Sequence, residues 1–179
     1  MRTVANSLFA CLDKFRDRIP LAVLMEELSK SDITFAAVSR FLRFHPDRYM
    51  RNLMYQGASY QALVLCWRNG QRSPIHDHQG SSCAVKILSG QATETTFRFA
   101  PNGMIYPTQS IVQEEGAITG SQDDDIHQIS NLQPENSDLV TLHIYSPPLI
   151  VMNTYSLTDG LVSPYVEPIN TEFADGGGI

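Results

Sequence analysis

Cysteine is scarce in this chain. Cys11, Cys66 and Cys83 are the only three among 179 residues. An odd count with no CxxC spacing argues against a disulfide framework and against a structural zinc site. Long apolar runs are missing too. No stretch approaches the roughly 20 residues that a membrane-spanning helix needs. The opening segment is cut by Asp13 and Lys14 and suits an amphipathic helix rather than a signal peptide. Basic clusters are absent as well, and a net charge of −6 offers nothing to attract a polyanion. Neither a nucleic-acid nor a membrane partner is expected, and a reducing cytoplasm is the expected compartment. No repeat and no linker divides the chain, so a single domain is expected over 1–179.

What is present has two grammars. In the first, Val4, Leu8, Leu12 and Phe15 recur every three or four residues, and Leu21, Leu24 and Leu28 continue the pattern after Pro20. Ser31 or Asp32 could cap a third helix carrying Phe35, Val38, Phe41 and Leu42, stopped by His45-Pro46-Asp47. From Tyr49 the period changes to two. QALVLCW, SPIHDH, CAVKIL, ATETTFRF, SIVQEEG, HQISNL, LVTLHIYS and NTYSL read as strands. Turn signals such as Asn69-Gly70, Ser89-Gly90 and Asp159-Gly160 separate them. This spacing predicts a mainly β fold, a jelly-roll barrel over 48–168, with a small helical layer over 1–47 and a flexible tail over 169–179.

Chemistry concentrates at His76-Asp77-His78. Residues two apart on a strand share a face, so both imidazoles can reach one metal ion. Four residues separate His78 from Cys83, and six more separate Cys83 from Gly90. This is the spacing of the first motif of cupin barrels, with Cys83 in place of its usual glutamate. His127 to Asn131 matches the second motif, H-x₃-N. The two motifs together offer three imidazoles and no carboxylate. Such a set leaves the charge of a divalent metal intact and favours an anionic thiolate as an added ligand. Imidazole suits zinc, copper, iron and nickel alike, so the ligands do not choose the metal. Taken alone, Cys83 reads as a small buried hydrophobe, Tyr145 as a core aromatic and His143 as a satisfied core histidine. Arg51 alone reads as a surface ion-pair partner. Cys11 and Cys66 read as packing residues, and Asp123 to Asp125 as a solvated loop.

With His76, His78, Cys83 and His127, and with LHIYSPP at Leu142–Pro148, YMRNL from Tyr49 and LCW ahead of SPIH, the chain resembles the cysteine dioxygenase family. The resemblance implies an enzyme that oxidises L-cysteine to cysteine sulfinic acid with O₂ at mononuclear Fe(II), acting as a monomer. It implies His76, His78 and His127 as iron ligands, and Cys83 and Tyr145 as the pair joined by a thioether in many members. Arg51 and Tyr49 fall where the family grips the substrate carboxylate. Ser73 and His143 match residues that hydrogen-bond towards the tyrosine hydroxyl. Trp67 matches a structural tryptophan near the pocket, and Ser146-Pro147 a cis-proline position. Relatives acting on 3-mercaptopropionate tend to carry glutamine at the position of Arg51 and to lack Cys83, so this pair favours cysteine. A cupin that only binds a ligand is one alternative, and it would not require the set Arg51, Cys83, His143 and Tyr145. A zinc or nickel cupin hydrolase or isomerase is another, and it would want a general base near the metal, for which His143 is the one candidate.

Overall fold

The structure is a computed structural model that describes residues 5–134 and 136–172. It opens with helices α1 (Ala5–Leu12) and α2 (Leu21–Lys30), then a 3₁₀ helix at Ala36–Phe41. Val4, expected in the first helix, lies outside the described residues. That helix stops at Leu12 rather than continuing to Phe15 because Asp13 turns its carboxylate to the sheet. There it accepts bonds from the Tyr55 hydroxyl at 2.7 Å and the Tyr60 hydroxyl at 2.9 Å. The third helix is 3₁₀ rather than α. Its buried residues, Val38 and Phe41, stand three apart, which is one 3₁₀ turn. Ser31 does not cap it but ends α2, with its hydroxyl on Leu28 O at 2.7 Å.

Ten strands follow among the described residues: β1 (Met50–Gln56), β2 (Gln61–Trp67), β3 (Ser82–Ser89), β4 (Ala92–Phe99), β5 (Ile105–Gln113), β6 (Ile118–Gln122), β7 (Ile126–Ser130), β8 (Leu139–Ser146), β9 (Met152–Tyr155) and β10 (Val162–Tyr165). They form an antiparallel sheet in the order β1-β2-β8-β3-β6, a second in the order β5-β4-β7, and the β10-β9 ribbon. In β2 and β8 successive side chains go to opposite faces, yet nearly all are buried. The helices explain this. Ala62, Val64, Cys66, Ala84, Val140, Leu142 and Ile144 pack against Leu8, Leu12, Leu24 and Leu28. Leu63, Leu65, Trp67, Cys83, Val85, Leu139 and Tyr145 belong to a second cluster inside the barrel. A sheet covered on both faces reads as a continuous apolar run, as QALVLCW does.

Two glycines are fixed by close approach. Gly90, in the β3–β4 turn, has φ +84°, and a Cβ there would lie 2.7 Å from Asp138 O. Gly120 in β6 lets α2 settle on the sheet, since a Cβ would meet Leu21 Cδ1 and Met25 Sδ at 2.8 Å. The tail expected over 169–179 lies outside the described residues from 173 onward. Its first residues are tied down, with Asn170 N–H on Arg51 O at 2.8 Å and Leu53 N–H on Asn170 O at 2.9 Å. Ser146-Pro147 is cis, as the resemblance implied. No helix among the described residues is long and apolar enough to cross a membrane.

Candidate metal centre and its surroundings

The segment between β2 and β3 carries two of the three histidines, and β7 the third. His76 and His127 exchange both backbone hydrogen bonds, at 2.9 and 3.0 Å, which locks the two chains side by side. His78 follows on the same face, and one ligand-type nitrogen from each of the three rings lies within 4.8 Å of the others. All three side chains are buried. Asp77, pointing the other way, anchors the segment to β9. It accepts from Asn153 N at 3.0 Å, Asn153 Nδ2 at 2.9 Å and the Tyr155 hydroxyl at 2.7 Å.

The donor set fits a divalent metal ion. Burial, then the neighbouring His127, pushes His76 down to about 3, and burial holds His78 well below the usual imidazole range. Neutral imidazoles are the ligand form. Nδ1 of His76 faces Pro74 O at 3.0 Å and Nδ1 of His127 faces a Glu94 carboxylate oxygen at 2.8 Å, which leaves the Nε2 atoms. His78 Nδ1 is buried with no hydrogen-bond partner. Its Nε2 lies 3.3 Å from Ser121 Oγ. Glu94 was not identified from sequence, and it is the orienting partner of His127. Its own position is steadied by the Thr119 hydroxyl at 3.1 Å. Burial pushes the Glu94 carboxyl up, but the hydrogen bonds and charge of His127 and the Thr119 bond outweigh it and bring it below the usual value. A carboxylate behind a ligating imidazole fixes its ring and raises its basicity.

Beside the histidines, β8 carries a hydrogen-bonded line. Trp67 Nε1 donates to Thr141 Oγ1 at 3.1 Å, Thr141 Oγ1 meets His143 Nε2 at 2.9 Å, and His143 Nδ1 meets the Tyr145 hydroxyl at 3.1 Å. An indole N–H can only donate. The pattern that orphans no buried proton therefore has Thr141 donate to Nε2 and His143 donate from Nδ1 to the phenol oxygen. The Tyr145 proton then points away from His143, toward Cys83 and the cavity that both line. Burial keeps His143 neutral and raises Tyr145.

This line corrects the expectation for Ser73. Its hydroxyl donates to Pro74 O at 2.8 Å and accepts from Ile129 N at 3.1 Å, so it stitches the His76 segment to β7. The hydroxyl next to His143 belongs to Thr141. The signal was available, because Thr141, His143 and Tyr145 alternate along one strand face.

Cys83 and Tyr145 are directly opposite in the β3–β8 register, and their side chains hydrogen-bond. The thiol also sits 3.9 Å from His143 Nδ1. Burial raises the Cys83 thiol, so it stays protonated. Arg51 is buried, with its guanidinium 5.5 Å from the centre of the Tyr145 ring. It donates to Glu167 O at 3.3 Å. Tyr49 stacks on Trp67 with ring centres 4.0 Å apart and donates its hydroxyl to the Glu167 carboxylate. Glu167 was not identified from sequence. Asp123, in the acidic loop, pairs with Arg18 at 2.6 Å at the surface. Cys66 is buried against Asn52.

The site therefore gathers three imidazoles that could share a metal ion, a buried arginine and a phenol bonded to His143. The chain resembles Cysteine dioxygenase type 1 of Danio rerio at 35% identity, over 68% of this chain and 62% of that protein. The match therefore spans less than two thirds of the fish protein. Cysteine dioxygenase type 1 of Homo sapiens is 31% identical over 75% of this chain and 68% of its own length. That of Bos taurus is 29% identical over 84% and 75%. A solved structure of an uncharacterized conserved protein with a double-stranded beta-helix domain, from Klebsiella pneumoniae, superposes with a TM-score of 0.52. It shares 17% identity and covers 77% of this chain and 93% of that one, a likeness in fold. The fold is thus the cupin type, a mainly β double-stranded helix with short N-terminal helices. The family profile described as Cysteine dioxygenase type I matches residues 3–158, and with it the chain belongs to the cysteine dioxygenase type I family.

Proposed function

We propose that the chain is a thiol dioxygenase that converts L-cysteine and O₂ to cysteine sulfinic acid, with Fe(II) held by His76, His78 and His127. The observation that carries this reading is three buried imidazoles converging beside a buried arginine and an oriented phenol. Ferrous iron supplies the redox chemistry that lets O₂ react with a thiolate. The chain's own residues do the rest. Arg51 binds the substrate carboxylate through charge-assisted bonds, with Tyr49 assisting, and so fixes where the sulfur falls. Glu94 keeps the His127 ring in orientation. Thr141 and His143 hold the Tyr145 oxygen as an acceptor, so its hydroxyl donates toward the reacting sulfur and oxygen. The barrel walls exclude bulk water. Both oxygen atoms end on sulfur and the thiol proton passes to solvent, so no further reductant is required.

We assign the thioether to Cys83 and Tyr145 in the same way. The opposed register of the two residues supports it. Joining sulfur to the ring removes two hydrogens, which O₂ takes up as hydrogen peroxide, and intact mass reads that loss directly. If every aerobic preparation kept both hydrogens, the assignment would fail.

The test is Fe(II) loading without oxygen, then measured O₂ uptake and product identification with L-cysteine, 3-mercaptopropionate and cysteamine. Equimolar O₂ and cysteine sulfinic acid are expected, with L-cysteine preferred. Preference for cysteamine would defeat the role of Arg51. Absence of sulfinate from all three would defeat the reading.

A further inference from the structure

Glu167 lies beyond the residues that the family profile matches, which end at 158. The chain after β10 folds back along β1 and is held there by Asn170, whose side-chain amide donates to Asn52 Oδ1 at 3.0 Å. This anchor carries Glu167 over the residues proposed to grip the substrate. Its carboxylate takes the Tyr49 hydroxyl, and its main-chain carbonyl takes Arg51.

Two spaces meet at this point. The enclosed cavity beside the three histidines has about 10 Å³ of free volume, the room of one water molecule. Outside lies an open groove of about 740 Å³, lined by Arg48, Arg51 and Arg72 with Asp47. Among the described residues, only Tyr49 and Glu167 line both. An amino acid does not fit the inner cavity while both stay in position. Tyr49 is held by its stack on Trp67. Glu167 is half-buried on an irregular segment, so it is the side chain that can move.

Resting on the reading above, we propose that Glu167 is a specificity-determining residue. Its carboxylate holds Tyr49 while its main-chain carbonyl takes Arg51, and its side chain yields its place to thiols that bring their own carboxylate. A substrate carboxylate replaces what it displaces, since it can accept from Tyr49 and pair with Arg51. A thiol without a carboxylate cannot, and it leaves Glu167 closed over the cavity. The arginines of the outer groove draw the anion to that point.

The experiment measures binding of L-cysteine and of cysteamine to the Fe(II)-loaded protein without oxygen, by calorimetry, for wild type, Glu167→Gln and Glu167→Ala. Glutamine can still accept from Tyr49 but competes without charge, so L-cysteine should bind about five- to tenfold more tightly. Cysteamine should gain less, because it needs the same opening but brings no carboxylate for Glu167 to repel, and a merely structural role would not move the two thiols apart. Glu167→Ala, which removes the closing side chain altogether, should tighten binding of both thiols, of L-cysteine the more, and serves if the glutamine variant is unstable. An unchanged ratio in a folded, iron-replete variant overturns the proposal while sulfinate production by wild type still stands. A shifted ratio in a protein that makes no sulfinate keeps the role of Glu167 and overturns the dioxygenase reading. No binding of L-cysteine to any of the three proteins overturns both.

Discussion

Val140, Leu142 and Ile144 point to one side of β8, and Thr141, His143 and Tyr145 to the other. All six are almost completely buried. The first three meet the helices and the second three meet the metal centre. Burial therefore does not distinguish the faces; the kind of interaction does. On the helix face contacts are non-directional, so volume matters and identity matters less. On the inner face each group answers a specific donor or acceptor, so one lost hydroxyl orphans its neighbours even where volume is kept. A strand of eight residues thus serves stability and chemistry at alternate positions.

The comparison breaks most sharply at the histidines. His78→Ala should abolish stoichiometric Fe(II) binding while the far-ultraviolet circular dichroism stays that of the folded barrel. The ring faces those of His76, His127 and Tyr145 on the inner side of the barrel. Elemental analysis of iron per chain reads the result. A variant that still carries one iron per chain would remove His78 from the ligand set.

On the opposite face, Leu142→Ala should cost about 2–5 kcal/mol of stability, since it empties volume between β8 and the helices. Urea unfolding measures this. Iron content per folded chain should stay at the wild-type level. Loss of iron from a folded Leu142→Ala protein would mean that the two faces are coupled, and the separation drawn here would be wrong.

The same two faces explain what could be read from sequence. QALVLCW, ATETTFRF and LVTLHIYS match β2, β4 and β8 to the residue, because their composition and turns mark both ends. SPIHDH, expected as a strand, makes only isolated bridges, from His76 to His127 and Thr154. Its backbone is fixed by partners far away in sequence, and no local period encodes them. β6 and β10 were not anticipated. ITGSQ has Gly120 where α2 presses on the sheet, and VSPY lies exposed in a two-stranded ribbon. Around the metal, spacing brought out the three histidines because two of them share one short motif. Thr141 was legible in the alternation of β8 but was passed over for Ser73. Glu94 and Glu167 were not legible, since each reaches the site from an element whose pairing the sequence does not reveal.

Thr141→Val tests the inner face at its most subtle point. The two side chains are nearly equal in volume, so a packing role predicts almost no change. The hydrogen-bonded line predicts more. Without the hydroxyl, Trp67 Nε1 and His143 Nε2 both lose the partners they have at 3.1 and 2.9 Å. The stability cost should be about 1–3 kcal/mol. His143 would then be able to take the other tautomer and draw the phenol proton to itself, away from the cavity. Turnover should fall about tenfold with KM for L-cysteine unchanged, because Arg51 is untouched. Thr141→Ser, which keeps the hydroxyl and loses a methyl, should restore most of the turnover while leaving a small loss of stability. Equal turnover in the serine and valine variants would mean that shape alone matters at this position, and the directional account of the inner face would fail at its central link.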